Sequence, residues 1–592
     1  MFDERLNDIL IRHGIEIIDE NKMNDNLELS VKGILTEYCA GKKCALWGAG
    51  RMNTTSSHTA ILIGKYATYL QNLVCVIDSD PDFQGKTFLG YPIIAPEQIK
   101  DQNVDIIIIS SKNSGNSIIE SLIKVSPESN YVDIYAELRK KGLEVYNNFF
   151  DERSIYTQIF DLQEGLRTAV KEEEKAGILR TLVSFYYGIR DFHYAYFYLD
   201  IYVKKRYEDY GKYIILKRDT DELLDEIRSI NAGKTQDVSM FYIDALREMD
   251  VMDSLTGESK VLRRYIDCAE VYTNVYSTGA TTYESMVSAI LGKYPLECKV
   301  YSQNFLRGVD EFTALKQIHE MGYKINWMVS DAYRLIEEDE RLNLDIQIYM
   351  SKKLWNLACN LAESVDKSFN FLYFPYEIHC PMLCGFHKER PVIRGFSNMG
   401  IEHFPESIAE QYRECIDYMD KQFDFYYELL GPGTTKVIFS DHSQVVYQKD
   451  NGTKTYNMYY KDKELCTHIP LIVSREGKDF TAHDGLLSLV DFNQMILSFV
   501  RDTRLTRLTK EIVRYQYYPI HSAKIRLHAQ QCGYSDYIDG MDIFISKELI
   551  YIKTGTGKEE VFRHEELEKN LVDNEEGRAF INKVKKDYIA AF

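Results

Sequence analysis

No CxxC pair occurs anywhere in the 592 residues. That absence removes zinc ribbons and thioredoxin-like redox sites, which need two thiols at that spacing. The 11 cysteines are odd in number and scattered, with Cys380 and Cys384 the closest pair. Free thiols in a reducing compartment are the ordinary reading of such a pattern. An excess of positive charge is also missing, since the formal charge is -19. An acidic surface of that size repels nucleic acid and anionic membrane, so neither is an expected partner. No apolar run approaches the roughly 20 residues that a spanning helix needs. The opening MFDERLNDILIRHGIEIIDENK has charges on both sides of a short apolar run, unlike a secretory leader. The expectation is a cytoplasmic protein with no membrane span. No internal repeat is evident.

What is there is an ordinary globular composition, 45% hydrophobic and 27% charged, at a length that predicts several domains. Residues 1–40 read as an amphipathic helical segment. From 41 to 145 the pattern changes. CALWGAG, LVCVIDSDP and VDIIIISS read as apolar strands separated by helical stretches, the pattern of a parallel sheet covered on both faces. Residues 146–235 carry helical spacing and read as a helical connector; many of the 44 tyrosines fall within 184–214, where they suit helix packing. A second α/β region fills 236–592. VSMFYIDAL, FNFLYFPYEIH and TKVIFSDHSQ are strands ending in Asp or His, and ELCTHIPLIVS has a His just before a strand. The C-terminal ends of strands are where open α/β sheets place their chemistry. MDIFISKELIYIKTGTGKEEVFRHEELEKNL reads as a small antiparallel hairpin turned by TGTG, then a helix.

In the first domain, Gly48 and Gly50 of the run Trp47-Gly48-Ala49-Gly50 follow a strand, and Asp78 ends the next one. Such glycines let backbone amides approach a pyrophosphate, and an acidic group can bind ribose hydroxyls. The third glycine of the full fingerprint is absent. The passage WGAG…CVIDSDPDFQGKTFLGYPIIAPEQI resembles the Rossmann-like domains found beside sugar C-methyltransferases and sugar-modifying acyltransferases. The resemblance implies a nucleotide or nucleotide-sugar ligand; a structural or docking role is the competing reading.

Phosphoryl or sulfuryl transfer through a covalent intermediate needs an oxygen nucleophile, a metal to activate it, and cations on the transferred group. Four segments supply these parts. Asp244 ends an apolar strand, where the bland alternative is a helix cap. Thr281, Thr282 and Ser285 open a helix; a Thr there is ordinarily only a cap, but the dipole and free amides at that end favour an anion. Asp441 and His442 form an adjacent O/N pair suited to zinc or manganese. His468 precedes Pro470 by two positions and, alone, reads as structural.

The ordered set resembles the alkaline phosphatase and sulfatase superfamily over about 237–590. FYIDALREMD is similar to its first metal-aspartate strand. STGATTYESMVSAILGKYP is similar to its nucleophile helix, in which Cys, Ser or Thr lies ten residues before a Gly; from Gly292 that position is Thr282. TKVIFSDHSQ, CTHIPLIVS, SLVDFNQMIL and KTGTGKEEVFRHEELEKNL resemble its later segments. The resemblance implies an α/β fold: the N-terminal Rossmann-like parallel sheet, the helical connector, and an alkaline-phosphatase-like α/β/α sandwich with a small antiparallel C-terminal subdomain. It implies that Asp244, Thr282, Asp441 and His442 hold one divalent metal (Zn or Mn). His379 of EIHCPM would contact the substrate phosphate. His468 would do likewise or bind a second metal.

This chain departs from the pattern at several points. SDHG is SDHS, HxPY is HCPM, and Pro375 replaces an expected Asp, for which Glu377 offers a substitute. The set is closest to the single-metal phosphoethanolamine and phosphoglycerol transferases, without their membrane helices. TYESM lacks the Cys, Pro and Arg of a formylglycine run, so phosphoryl chemistry is favoured. The expected function is a metal-dependent phosphotransferase or phosphodiesterase acting through phosphothreonine on a soluble sugar- or nucleotide-linked phosphoester of surface-polysaccharide metabolism. The alternatives are a sulfatase-like hydrolase or simple phosphatase, and a non-catalytic nucleotide-sugar-binding scaffold.

Overall fold

The computed structural model describes the chain except residues 17–19, 50–56, 112–114, 142, 144–154, 253–258, 299–305, 331–333, 380–381, 390, 392–405, 445–466, 519–529, 531–534, 568 and 590–592. Gly50 therefore lies outside the described residues. Six strands build the first sheet: β1 (Cys44–Trp47), β2 (Leu73–Ile77), β3 (Thr87–Phe88), β4 (Tyr91–Ile94), β5 (Ile106–Ile109) and β6 (Tyr131–Asp133), in the order β3-β4-β2-β1-β5-β6. All neighbours are parallel except the β3–β4 hairpin. CALW and IIII are buried along their whole length, as expected of strands covered on both faces. The hairpin was not foreseen. Its turn residues Leu89 and Gly90 both have positive φ, the geometry of a type I′ turn, but Leu-Gly lacks the usual Asn-Gly signal.

The segment 1–40 forms two helices with different allegiances. Glu20–Cys39 packs Leu27, Val31, Ile34, Leu35 and Cys39 onto the first sheet. Phe2–Arg12 instead buries Phe2, Leu6, Ile9 and Leu10 in the large core that the connector shares with the second sheet. Asp3 of this helix accepts from Arg190 Nε at 2.9 Å and Trp355 Nε1 at 2.7 Å. The connector helices Ile155–Thr168, Glu172–Gly188, Phe192–Lys204 and Tyr210–Asn231 are part of that layer rather than a spacer. Their tyrosines are packing residues: Tyr186 stacks on Tyr194 and Tyr198 with centroids 5.6 and 5.4 Å away.

The second sheet comprises β7 (Val238–Ile243), β8 (Ala269–Tyr276), β9 (Lys324–Val329), β10 (Leu342–Ile346), β11 (Ser368–Phe374), β12 (Thr435–Phe439), β13 (His468–Ser474), β14 (Thr481–His483) and β15 (Leu487–Ser488). Its order is β10-β9-β11-β7-β12-β13-β8-β14, with β15 also on β8. From β10 to β12 the neighbours are parallel; β13 is antiparallel to both β12 and β8. Alternate residues face opposite cores. Phe241, Ile243, Leu372, Phe374 and Ile438 join the helical layer described above, while Met240, Tyr242, Phe371, Tyr373, Val437 and Phe439 pack under a second layer containing helices Thr313–Glu320 and Phe492–Val500. The period-2 alternation of a strand between two helical layers produces this division. A third sheet, β16 (Val513–Tyr517), β17 (Met541–Ile545), β18 (Leu549–Thr554) and β19 (Glu559–Arg563), is four-stranded and antiparallel, larger than the hairpin expected, and is followed by helix Glu575–Val584.

Candidate metal and nucleophile site

β7 lies between β11 and β12 and runs parallel to both. Their C-terminal ends therefore deliver Asp244, the segment reaching His379, and Asp441-His442 to one edge. Asp244 is 1% exposed and Asp441 0%. Beyond β7 the chain turns sharply, with Ala245 at φ +60°; Ala245 N–H donates to Asp441 Oδ1 at 3.3 Å. Beyond β12, Ser440 Oγ donates to the His442 carbonyl at 2.7 Å and closes a tight loop. His442 Nδ1 lies 2.9 Å from the Ser443 carbonyl. A carbonyl only accepts, so Nδ1 carries the proton and Nε2 presents its lone pair. That Nε2 lies 3.5 Å from Asp244 Oδ1 and 3.4 Å from Asp441 Oδ2.

β8 feeds helix Thr282–Leu291 through residues 277–281. A Cβ on Gly279 would come within 2.5 Å of Glu284 Cβ, so only glycine fits the turn. Thr281 is the N-cap and its side chain accepts from Glu284 N–H; Thr282 is the first residue of helix Thr282–Leu291, which ends at Gly292 with φ 63°. The three hydroxyls have separate fates. Thr281 caps. Ser285 is buried and donates to the Asp441 carbonyl at 2.7 Å, with Ser277 Oγ donating to it at 3.0 Å. Thr282 donates to Asp244 Oδ2 at 3.3 Å.

Tyr373, which the sequence reading passed over, also donates to Asp244 Oδ2. It lies on β11 and stacks on Tyr242 of β7 at 4.3 Å; its only sequence signal was an aromatic at an alternating strand position. His379 Nε2 is 3.9 Å from Asp244 Oδ1, and donor atoms of Asp244, His379 and His442 all lie within 4.8 Å of one another. Asp244 Oδ1 and Asp441 Oδ2 have no hydrogen-bond partner although both are buried. Burial, and then the Asp441 charge, push the Asp244 carboxyl well above its ordinary range. Two buried carboxylates with orphaned oxygens facing one imidazole lone pair are the donor set a divalent cation satisfies. Asp244, Asp441, His442 and the Thr282 hydroxyl would hold it, with His379 at the rim.

Two other residues take different positions. His468 is the first residue of β13, not one preceding it. Its Nε2 contacts the Thr273 carbonyl at 2.6 Å, its Nδ1 lies 3.9 Å from Glu248 Oε2, and its ring stacks on Tyr276. It is not in the converging donor group. Glu377, offered by the resemblance as a substitute for an aspartate at position 375, is not in the group formed by Asp244, His379 and His442. Its Oε1 accepts from Met350 N–H and Tyr156 OH, each at 2.9 Å, so it anchors the start of helix Met350–Glu363.

In the first domain, Gly48 has φ +124°, and a Cβ there would come within 3.0 Å of Ser111 Cβ. Asp78 is occupied by the chain itself: Oδ2 accepts from Ala49 N–H at 2.7 Å and Oδ1 from Asp80 N–H at 2.9 Å.

Residues 40–132 match the family described as C2185-like, N-terminal. No curated protein sequence matches the chain. Solved structures similar to the C-terminal part include the phosphonate monoester hydrolase of Silicibacter pomeroyi, at 13% identity and TM-score 0.42 over 60% of this chain and 95% of that one. A 2-O GAG sulfatase matches at 14% identity and TM-score 0.43, over 61% and 94% of the two chains. A protein in the alkaline phosphatase superfamily from Vibrio parahaemolyticus matches at 12% identity and TM-score 0.38, over 62% and 96%. Among the described residues, no helix is long and apolar enough to cross a membrane.

Proposed function

We propose that the chain is a metal-dependent phosphoester-processing enzyme, a phosphotransferase or phosphodiesterase, with Thr282 as nucleophile. The observation that carries this reading is the Thr282 Oγ1–Asp244 Oδ2 hydrogen bond of 3.3 Å, at a helix N-terminus and beside the orphaned carboxylate oxygens. A bound zinc or manganese ion would acidify the hydroxyl and neutralise charge on the phosphoryl oxygens. Thr282 Oγ forms the new bond to phosphorus while the bond from phosphorus to the leaving oxygen breaks. Asp244 Oδ2 takes the hydroxyl proton. His379, 17% exposed at its side chain, would donate a proton to the departing oxygen. Water or an acceptor hydroxyl then cleaves the phosphothreonine, and Thr282 regains its proton. The dipole of helix Thr282–Leu291, positive at this end, favours the anionic group throughout.

Threonine cannot become formylglycine, which favours phosphoryl over sulfuryl transfer. A soluble sugar- or nucleotide-linked phosphoester of surface-polysaccharide metabolism is the substrate class that the first domain's sequence resemblance supports. For the Rossmann-like domain itself we propose a positioning role, because the Asp78 carboxylate already holds the glycine turn. Incubation with phosphodiester, phosphomonoester and sulfate-ester substrates, followed by quenching and peptide mapping, tests the reading. Phosphate on Thr282 is the expected result. Sulfate-ester turnover without a covalent phosphothreonine overturns it.

A further inference from the structure

A second convergence of metal-binding side chains lies away from the edge just described. Cys384 and His387 belong to the segment that follows His379. Cys415 comes from helix Glu406–Tyr426. One donor atom of each lies within 4.8 Å of the other two, and the three residues are 0%, 1% and 0% exposed. His387 is oriented from behind: its Nδ1 lies 2.8 Å from Glu414 Oε2, and the other carboxylate oxygen accepts from Lys388 N–H at 3.3 Å. A carboxylate on Nδ1 sets the tautomer and turns the Nε2 lone pair inward, as behind metal-bound imidazoles. There Nε2 lies 3.4 Å from Cys384 Sγ, and in this structure its lone pair is held by the Cys384 amide at 3.3 Å, a contact that a bound ion would replace. With metal–sulfur and metal–nitrogen bonds of ordinary zinc length, the S···N edge of a tetrahedron is about 3.5 Å.

We propose that Cys384, His387 and Cys415 form a second metal site, for a divalent ion of the zinc class, which clamps the segment carrying His379 to the helical layer. Charge supports the assignment: two thiolates neutralise a doubly charged ion, and a fully buried site must be close to neutral. Sulfur and imidazole donors select zinc over the hard cations. The surroundings explain what is clamped. Tyr186 OH donates to the Gly385 carbonyl, and Gln411 Nε2 donates to the Met382 carbonyl at 2.9 Å. The ion would add the strongest link in this set and fix the approach of His379 to Asp244.

The two metal sites are separable because only this one contains sulfur. Full-length protein purified without chelator is analysed for metal and substituted with cobalt. The expected result is zinc that persists in Asp441→Ala and is lost in Cys384→Ser and Cys415→Ser. Cobalt-substituted wild type and Asp441→Ala should both show thiolate-to-metal charge-transfer absorption. If the cysteine variants do not fold, the wild-type and Asp441→Ala cobalt spectra decide. Absence of the charge-transfer band, a metal-free Asp441→Ala protein, or a Cys384–Cys415 disulfide in non-reducing peptide maps would each overturn the proposal. None of these results depends on Thr282 acting as a nucleophile.

Discussion

Thr282 Oγ1 donates to Asp244 Oδ2 across 3.3 Å, although the two residues are 38 positions apart in the chain. The neighbouring hydroxyls of the same helical turn are committed elsewhere, which gives each substitution a distinct signature. Thr282→Ala should lower turnover by at least ~100-fold while leaving the fold intact. Thr281→Ala removes a cap and should cost about 1 kcal/mol of stability. Ser285→Ala leaves the Asp441 carbonyl without its donor and should also cost about 1 kcal/mol. Turnover and thermal melting of the three variants separate these outcomes; an active Thr282→Ala would sink the mechanism.

Asp441 and His442 face Asp244 with a carboxylate oxygen and an imidazole lone pair. Asp441→Ala and His442→Ala should each lose one equivalent of metal relative to wild type, measured by elemental analysis. Unchanged metal content in both variants would show that the ligands are misassigned.

Asp191 gives a pH dependence remote from that site. It caps helix Phe192–Lys204 and accepts from Tyr418 OH at 2.8 Å. Burial pushes its carboxyl up from 3.8 to about 6. A raised folded value means the contribution to stability is full below the unfolded value and is lost as pH rises through the folded one. Wild type should therefore lose stability from this group between about pH 4 and 6, and Asp191→Asn should not. Melting temperatures across that range check this; parallel curves would contradict it.

Glu377 Oε1 holds the Met350 amide at the start of helix Met350–Glu363. Glu377→Ala should cost about 1–3 kcal/mol by leaving the Met350 amide unsatisfied, with metal content unchanged. Loss of metal from a folded Glu377→Ala protein would restore the ligand reading.

Residues 2–12 and 155–231 share a core with the second sheet. A chain beginning near residue 235 should therefore be insoluble, because it exposes the face that Phe2, Leu6, Tyr186 and Leu224 cover. Asp78→Asn in the full chain should leave hydrolysis of a small generic ester unchanged. A soluble, active truncation would show the helical layer to be dispensable.

Much of the candidate site was legible because its signals are local. An apolar run that ends in Asp244, another that ends in Asp441-His442, and a helix that begins at Thr282 and stops at Gly292 each specify a strand or helix and its terminal side chain. Parallel strands then bring such termini to one edge. The tyrosine-rich connector was legible for the same reason, since helical spacing of large apolar faces demands a packing partner.

What depended on the order of the sheet or on contacts between distant layers could not be read. Tyr373 reaches Asp244 because β11 happens to lie beside β7. His468 turns to the Thr273 carbonyl because β13 runs antiparallel to β8. Glu377 is drawn to a helix start, and Phe2–Arg12 leaves its sequence neighbours for a core built by residues far along the chain. Cys384, His387 and Cys415 carried only a C-x2-H spacing and a distant thiol; the fold of the loop onto helix Glu406–Tyr426 makes them one cluster. Local periodicity encodes which face of an element is apolar, but not which element will cover it. That choice is made by the collective packing of the layers, and in this protein the packing decides which polar side chains meet.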